Sequence, residues 1–133
     1  MALTDKKILL VEDHLDTAEM VQTLLKWLGY ETVIATNGLD ALEIVSQAKP
    51  DLILLDIVLP GMSGLEVARR LKADPHTSAI PILALTAKAM PGDRERCLES
   101  GCDAYLAKPI FHWQLKAEIE KLLTSHGPKR AAS

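Results

Sequence analysis

The sequence predicts a doubly wound α/β domain, a (βα)5 arrangement with a five-stranded parallel sheet and helices on both faces. Two observations carry the fold class. Five short apolar, β-branched runs recur at regular intervals, and helical patterns fill every gap between them. A third observation locates function: ionisable or hydroxylated residues fall at or just past the ends of those runs, on the edge where open parallel sheets build their sites.

The first run, Ile8 to Val11, is followed by Val21, Leu24, Leu25 and Leu28, spaced i, i+3, i+4, i+7 as one buried helix face and ended by Gly29. The second run is Thr32 to Ala35. Asn37 then caps a helix expected from Gly38 to about Ala48, closed before Pro50. After the third run, Leu52 to Leu55, Ser63 and Glu66 stand at capping-box spacing, so a helix should start near Gly64 and finish before Asp74-Pro75. The fourth run, Ile80 to Leu85, leads to a helix that follows Pro91-Gly92-Asp93 and stops at Gly101. The fifth is Ala104 to Ala107, and the last helix, from about His112 to Ser125, should bury Leu115, Ile119, Leu122 and Leu123. Gly127 to Ser133 is polar and lacks apolar periodicity, so the domain is expected over 1–125, with 126–133 a flexible tail.

Composition narrows the classes. A length of 133 residues with 48% hydrophobic content suits one domain with a single sizeable core. The formal charge of −3 arises from acidic and basic residues mixed along the chain, with no basic stripe to follow a phosphate backbone, so nucleic-acid binding is not expected. No apolar run approaches the roughly 20 residues of a membrane span, and the polar start Met1 to Lys7 has no signal-peptide core. The expectation is a cytoplasmic protein with no membrane association. Cys97 and Cys102 lie five apart with no second pair or clustered His, which reads as free, buried or partly buried thiols rather than zinc ligands or a disulfide.

The chemistry resides in Glu12, Asp13, Asp56, Thr86 and Lys108. Carboxylates are costly beside a packed core, so three at strand ends suggest a divalent cation and a phosphoryl group. Asp13 and Asp56 can both offer hard oxygen ligands to Mg2+, with Glu12 holding the cation directly or through its water. A cation there relieves carboxylate repulsion and neutralises an incoming phosphate, which lets Asp56 act as a nucleophile and form an acyl phosphate. Lys108 supplies a fixed positive charge for a phosphate oxygen and Thr86 a hydroxyl donor. Pro109 suggests a tight turn aiming Lys108 inward, and a cis Lys108-Pro109 bond would make it. His14 and Asp16 follow the acidic pair directly and could be mistaken for further metal ligands, but helix-start polar residues are the simpler account.

These residues resemble the receiver domain of two-component response regulators. The resemblance runs from about residue 6 to 124 and rests on Leu10-Val11-Glu12-Asp13, then Asp56 to Gly64 (Asp-Ile-Val-Leu-Pro-Gly-Met-Ser-Gly), Leu85-Thr86-Ala87, and Tyr105-Leu106-Ala107-Lys108-Pro109. It implies a flavodoxin-like fold, Asp56 as phosphoacceptor, Glu12 and Asp13 as the acidic Mg2+ site, Thr86 as the switch hydroxyl and Lys108 as the phosphate-binding lysine. It also implies that the backbone carbonyl of Val58 binds the metal and that Tyr105 is an aromatic switch, altering the surface made by the fourth helix, fifth strand and fifth helix. Many receivers carry a polar side chain at the Val58 position to help position the hydrolytic water. An apolar one implies a longer-lived phosphoryl group. The segment Ala87 to Asp93 looks most like stand-alone receivers and those attached to hybrid kinases.

The implied partners are a histidine kinase or histidine phosphotransfer protein as donor and an unknown protein target, with the chain a monomer or weak dimer. Enzymatic turnover is not expected beyond Mg2+-dependent self-phosphorylation from small donors and autodephosphorylation. The Met1 start favours a complete single-domain regulator over a receiver excised from a longer chain. Two other readings stay open: a phosphorylation-independent interaction module, and an aspartate-nucleophile phosphohydrolase resembling the haloacid dehalogenase group. Val58 stands where the latter wants a second Asp. Trp113, two residues from Leu115, cannot share its inward face and is either an exposed partner anchor or half-packed on a neighbouring helix; Trp27, near the end of the first helix, is expected to pack in the core or at the helix end, with flanking a kinase or phosphotransfer docking surface as the alternative.

Overall fold

In the computed structural model, residues 6–87 and 90–132 are described, with side chains as far as Thr124. Five strands alternate with five helices: β1 Lys7–Val11, α1 Leu15–Trp27, β2 Glu31–Ala35, α2 Gly38–Ala48, β3 Leu52–Asp56, α3 Gly64–Ala73, β4 Ile82–Thr86, α4 Asp93–Glu99, β5 Ala104–Ala107 and α5 His112–Ala132. All pairings are parallel, in the order β2-β1-β3-β4-β5. The chain thus reverses direction of winding between β1 and β3, the place where an open α/β sheet leaves a crevice.

The two faces of the sheet are separate cores. Alternate strand residues Leu9, Ile53, Leu55 and Ile82 pack with Val45, Val67 and Leu71 on one side. Ile8, Leu10, Leu52, Leu54 and Leu83 pack with Leu25, Leu115 and Ile119 on the other. A strand buried on both faces must be apolar at every position, which is why these runs lack the alternation of a half-exposed sheet.

Local chemistry sets the boundaries. Asn37 Oδ1 accepts from the Asp40 N–H at 2.9 Å, and Ser63 Oγ from the Glu66 N–H at 3.3 Å, opening α2 and α3 as expected. The Glu66 carboxylate does not close the reciprocal half of a capping box; it pairs with Arg69 and Arg70. Gly29, at φ +100°, follows the end of α1. The fourth strand starts later than the apolar run suggests, at Ile82 rather than Ile80. The Ile80 N–H is used in a turn to the Thr77 carbonyl, and Pro81 has no N–H to give a ladder. Helix α5 continues to Ala132, and the expected tail over 126–133 lies outside the described side chains.

Trp27 is a correction. It is 78% exposed at the end of α1, because it stands two residues, about 200° of helix rotation, beyond the buried Leu25. Trp113 is 61% exposed and stacks on Phe111, with ring centroids 5.8 Å apart and planes 6° from parallel. Cys97 and Cys102 are free and buried.

Candidate functional site

Strand β1 delivers Glu12 and Asp13 just past its end, β3 ends on Asp56, β4 ends on Thr86, and Lys108 follows β5. Because neighbouring strands are in parallel register, these ends share one edge. Backbone bonds tie the loops there: the Ile57 N–H donates to the Leu85 carbonyl at 3.0 Å, and the Lys108 N–H to the Thr86 carbonyl at 2.7 Å. The Lys108–Pro109 peptide is cis.

Lys108 Nζ lies 2.8 Å from Glu12 Oε1 and 3.5 Å from Asp56 Oδ2. Asp56 Oδ1 accepts from the Val58 N–H at 3.1 Å. Glu12 is 1% and Asp56 4% exposed, so two buried carboxylates share one ammonium. Burial pushes the Glu12 carboxyl up, but the hydrogen bonds from Lys108 and the His14 N–H outweigh it and hold Glu12 below the usual carboxylate range. Burial also raises Asp56, and the Glu12 charge adds to this; the more distant Lys108 only partly opposes it, so Asp56 titrates above an ordinary aspartate. Burial pulls Lys108 down, yet the bond to Glu12 and the charge of Asp56 reverse the sign, and Lys108 is raised.

The donor set fits a hard cation. Asp13 Oδ1 is shielded from solvent and accepts no hydrogen bond, an arrangement that wastes a carboxylate oxygen unless an ion meets it. Among the described residues, Glu12, Asp13 and His14 each bring one ligand atom to within 4.8 Å of the others. His14, read from sequence as a helix-start residue, therefore belongs to the site's margin, with Nδ1 3.3 Å from Glu12 Oε2. Its position directly after the acidic pair was the available signal.

Thr86 is buried and lines a cavity of about 170 Å³ with Ile57, Leu65, Met90 and Cys97. Tyr105, on β5 opposite Ala84, is half-buried against the same core. A larger cavity of about 710 Å³ opens beside Asp56 and Lys108, walled by Met20, Val21 and Leu24 of α1 and by Ile110 and Leu115. Val58 borders both and is 54% exposed.

Residues 8–120 match the response regulator receiver domain family. The chain belongs to that family. It is similar to the polar-differentiation response regulator DivK of Brucella anthropi, at 47% identity over 105 residues, 79% of this chain and 85% of DivK. In three dimensions it resembles the receiver domain of a Pseudomonas aeruginosa sensor histidine kinase, solved with a magnesium ion coordinated in the active site cleft (34% identity, TM-score 0.85, covering 91% of this chain and 99% of that one). The signal receiver domain of a Syntrophus aciditrophicus histidine kinase is similar too, with 35% identity, TM-score 0.85 and 92% of each chain covered. Receivers are phosphoacceptor signalling domains of two-component systems rather than catalytic enzymes, and the phosphohydrolase reading falls with that membership. Among the described residues, no helix of this receiver is long and apolar enough to cross a membrane.

Proposed function

We propose that this receiver is a cytoplasmic phosphorylation switch in which Asp56 takes a phosphoryl group from the phosphohistidine of a histidine kinase or phosphotransfer protein. One observation carries the reading: a buried aspartate at the end of β3 lies 3.5 Å from the Lys108 ammonium, on the strand edge that also carries Glu12 and Asp13. An Asp56 carboxylate oxygen attacks phosphorus, the P–N bond to the donor imidazole breaks, and its electron pair leaves with the imidazole nitrogen, which takes up a proton. Lys108 stabilises charge on the transferred group, and the Val58 N–H orients Asp56 through Oδ1.

Glu12, Asp13, Asp56 and the Val58 carbonyl are the proposed holders of Mg2+, which when bound neutralises charge on the incoming phosphate. Thr86 donates its hydroxyl to the phosphoryl group, Tyr105 follows inward, and the altered α4-β5-α5 surface engages a protein target. The exposed Phe111–Trp113 stack at the start of α5 supports that surface as a contact face.

Intact mass spectra of wild type and Asp56→Asn, after incubation with Mg2+ and a small acyl-phosphate donor, test the reading. A single phosphate adduct on wild type, absent from the variant and from the Mg2+-free sample, is expected. No adduct and no beryllofluoride complex would leave a constitutive interaction module as the better account.

A further inference from the structure

His14 is not absorbed by the phosphoacceptor chemistry, yet its ring is turned toward it. The side chain is largely exposed and free to face water. Its Nδ1 instead lies 3.3 Å from Glu12 Oε2 and 3.4 Å from Asp13 Oδ1, the shielded oxygen that accepts no hydrogen bond. Nitrogen and oxygen donors about 2.1 Å from one ion stand roughly 3.0 Å apart at octahedral angles and roughly 3.4 Å apart at tetrahedral ones. The observed separations fall within that range before any ion draws the groups together. The cluster also has access: His14 lines the cavity of about 710 Å³ that opens at Asp56 and Lys108.

We propose that His14 Nδ1 is a protein ligand of the cation pocket alongside Glu12 and Asp13, making it a mixed nitrogen–oxygen site for late first-row divalent ions such as Co2+, Ni2+ or Zn2+. This rests on the cation pocket proposed above and deepens it. Carboxylates, carbonyls and water suit Mg2+, whereas an imidazole adds affinity for the later metals and little for Mg2+. The two kinds of ion compete for one pocket, so late metals at low concentration displace Mg2+ from this receiver. A ring that only hydrogen-bonds the carboxylates would give no such selectivity.

Calorimetric titrations of the full chain with CoCl2 and with MgCl2, for wild type, His14→Asn and Asp13→Asn, test this. Imidazole NMR signals recorded with Co2+ provide a second readout. His14→Asn is expected to weaken Co2+ binding by about tenfold or more while Mg2+ affinity stays nearly constant, and the His14 ring signals of wild type should shift on adding Co2+. Equal Co2+ affinity in His14→Asn and wild type, or His14 signals unmoved by bound Co2+, would overturn the proposal. If that occurs while Asp13→Asn still loses Mg2+, only the histidine ligand is wrong. Mg2+ binding untouched by Asp13→Asn would overturn the pocket itself and the histidine ligand with it.

Discussion

Gly64 sits where the strand that ends on Asp56 meets α3, and replacing it tests how tightly Asp56 is held. A Cβ at this position would lie 2.4 Å from the Asp56 carbonyl oxygen and 2.7 Å from Ile57 Cα. Ordinary contacts begin near 3.5 Å, so β3 and the start of α3 must part by about 1 Å. Neither partner is a flexible side chain: the Gly64 N–H donates to the Ile57 carbonyl at 2.9 Å, and the Ile57 N–H is fixed to Leu85 on β4. Overpacking of this kind costs about 1–3 kcal/mol. For a chain of this size each kcal/mol lowers the melting temperature by about 3.6 °C, so Gly64→Ala should melt about 4–11 °C below wild type. It should also take up phosphate more slowly at temperatures where it is fully folded, because the displaced backbone is that of Asp56 and Ile57. Gly61 is the control: its φ is +72° with nothing within 4 Å of a built Cβ. Its cost is backbone strain, which asparagine tolerates better than alanine. Gly61→Asn should therefore recover stability relative to Gly61→Ala, whereas Gly64→Asn should be no better than Gly64→Ala. A Gly64→Ala protein with wild-type melting and phosphorylation rate would refute the close approach on which this reasoning depends.

Lys108→Met strands the buried Glu12 beside Asp56 and should cost about 1–3 kcal/mol in EDTA; saturating Mg2+ should restore part of it, giving a larger Mg2+-induced shift in denaturation midpoint than in wild type. Cys102 has its thiol pushed up to about 12 by burial, with Cys97 and Asp103 adding to it. The unfolded chain loses that proton first, so stability is fully present below pH 9 and falls between pH 9 and 12 by about 1.4 kcal/mol per unit; the Cys102→Ala denaturation curve should lack this component of the slope, and equal slopes would count against the shift. Val58→Asn places a polar side chain next to Asp56 and should lose phosphate several-fold faster, measured by intact mass against time; slower loss would sink the water-positioning argument.

The fold was legible because the three central strands are buried on both faces and the helices on one, so periodicity and punctuation agree along the chain. Asn37 and Ser63 started helices where their side chains could satisfy an N–H, and α2 runs over the residues expected for it. What escaped depended on geometry between distant residues. Lys72 Nζ ties α3 to the Ser78 and Ile80 carbonyls and to Asp103 Oδ2, a latch across the sheet edge that sequence spacing cannot announce. Strand β4 was read too early because Ile80 is apolar, although Pro81 interrupts the ladder. In the site, the strand-end positions of Glu12, Asp13, Asp56, Thr86 and Lys108 could be read from topology, since parallel strands place their C-terminal ends on one edge. The inward turn of the His14 ring could not, because an N-cap position leaves side-chain direction open.

The distances at Lys108 also bear on how a phosphoryl group could work a switch. Its nearest partner is Glu12 at 2.8 Å, and Asp56 is reached only at 3.5 Å. A phosphoryl group on Asp56 brings charge near −2 and three acceptor oxygens, but the lysine it recruits is already engaged. The gain is therefore a difference between two charge-assisted bonds, smaller than either taken alone. Full reversal of a 1:99 population needs about 5.5 kcal/mol of differential stabilisation, and a single re-pointed lysine at about 1.5–3 kcal/mol falls short. Thr86 stands on the neighbouring strand end, buried beside a cavity into which side chains can move. A hydroxyl that changes partner there adds a second increment and couples it to packing around Tyr105. On this reasoning Thr86→Ala should still be phosphorylated but shift its α4-β5-α5 surface incompletely. Beryllofluoride-induced NMR shifts at Tyr105 and Trp113 should be smaller than in wild type, and shifts of wild-type size would mean that Lys108 alone drives the change.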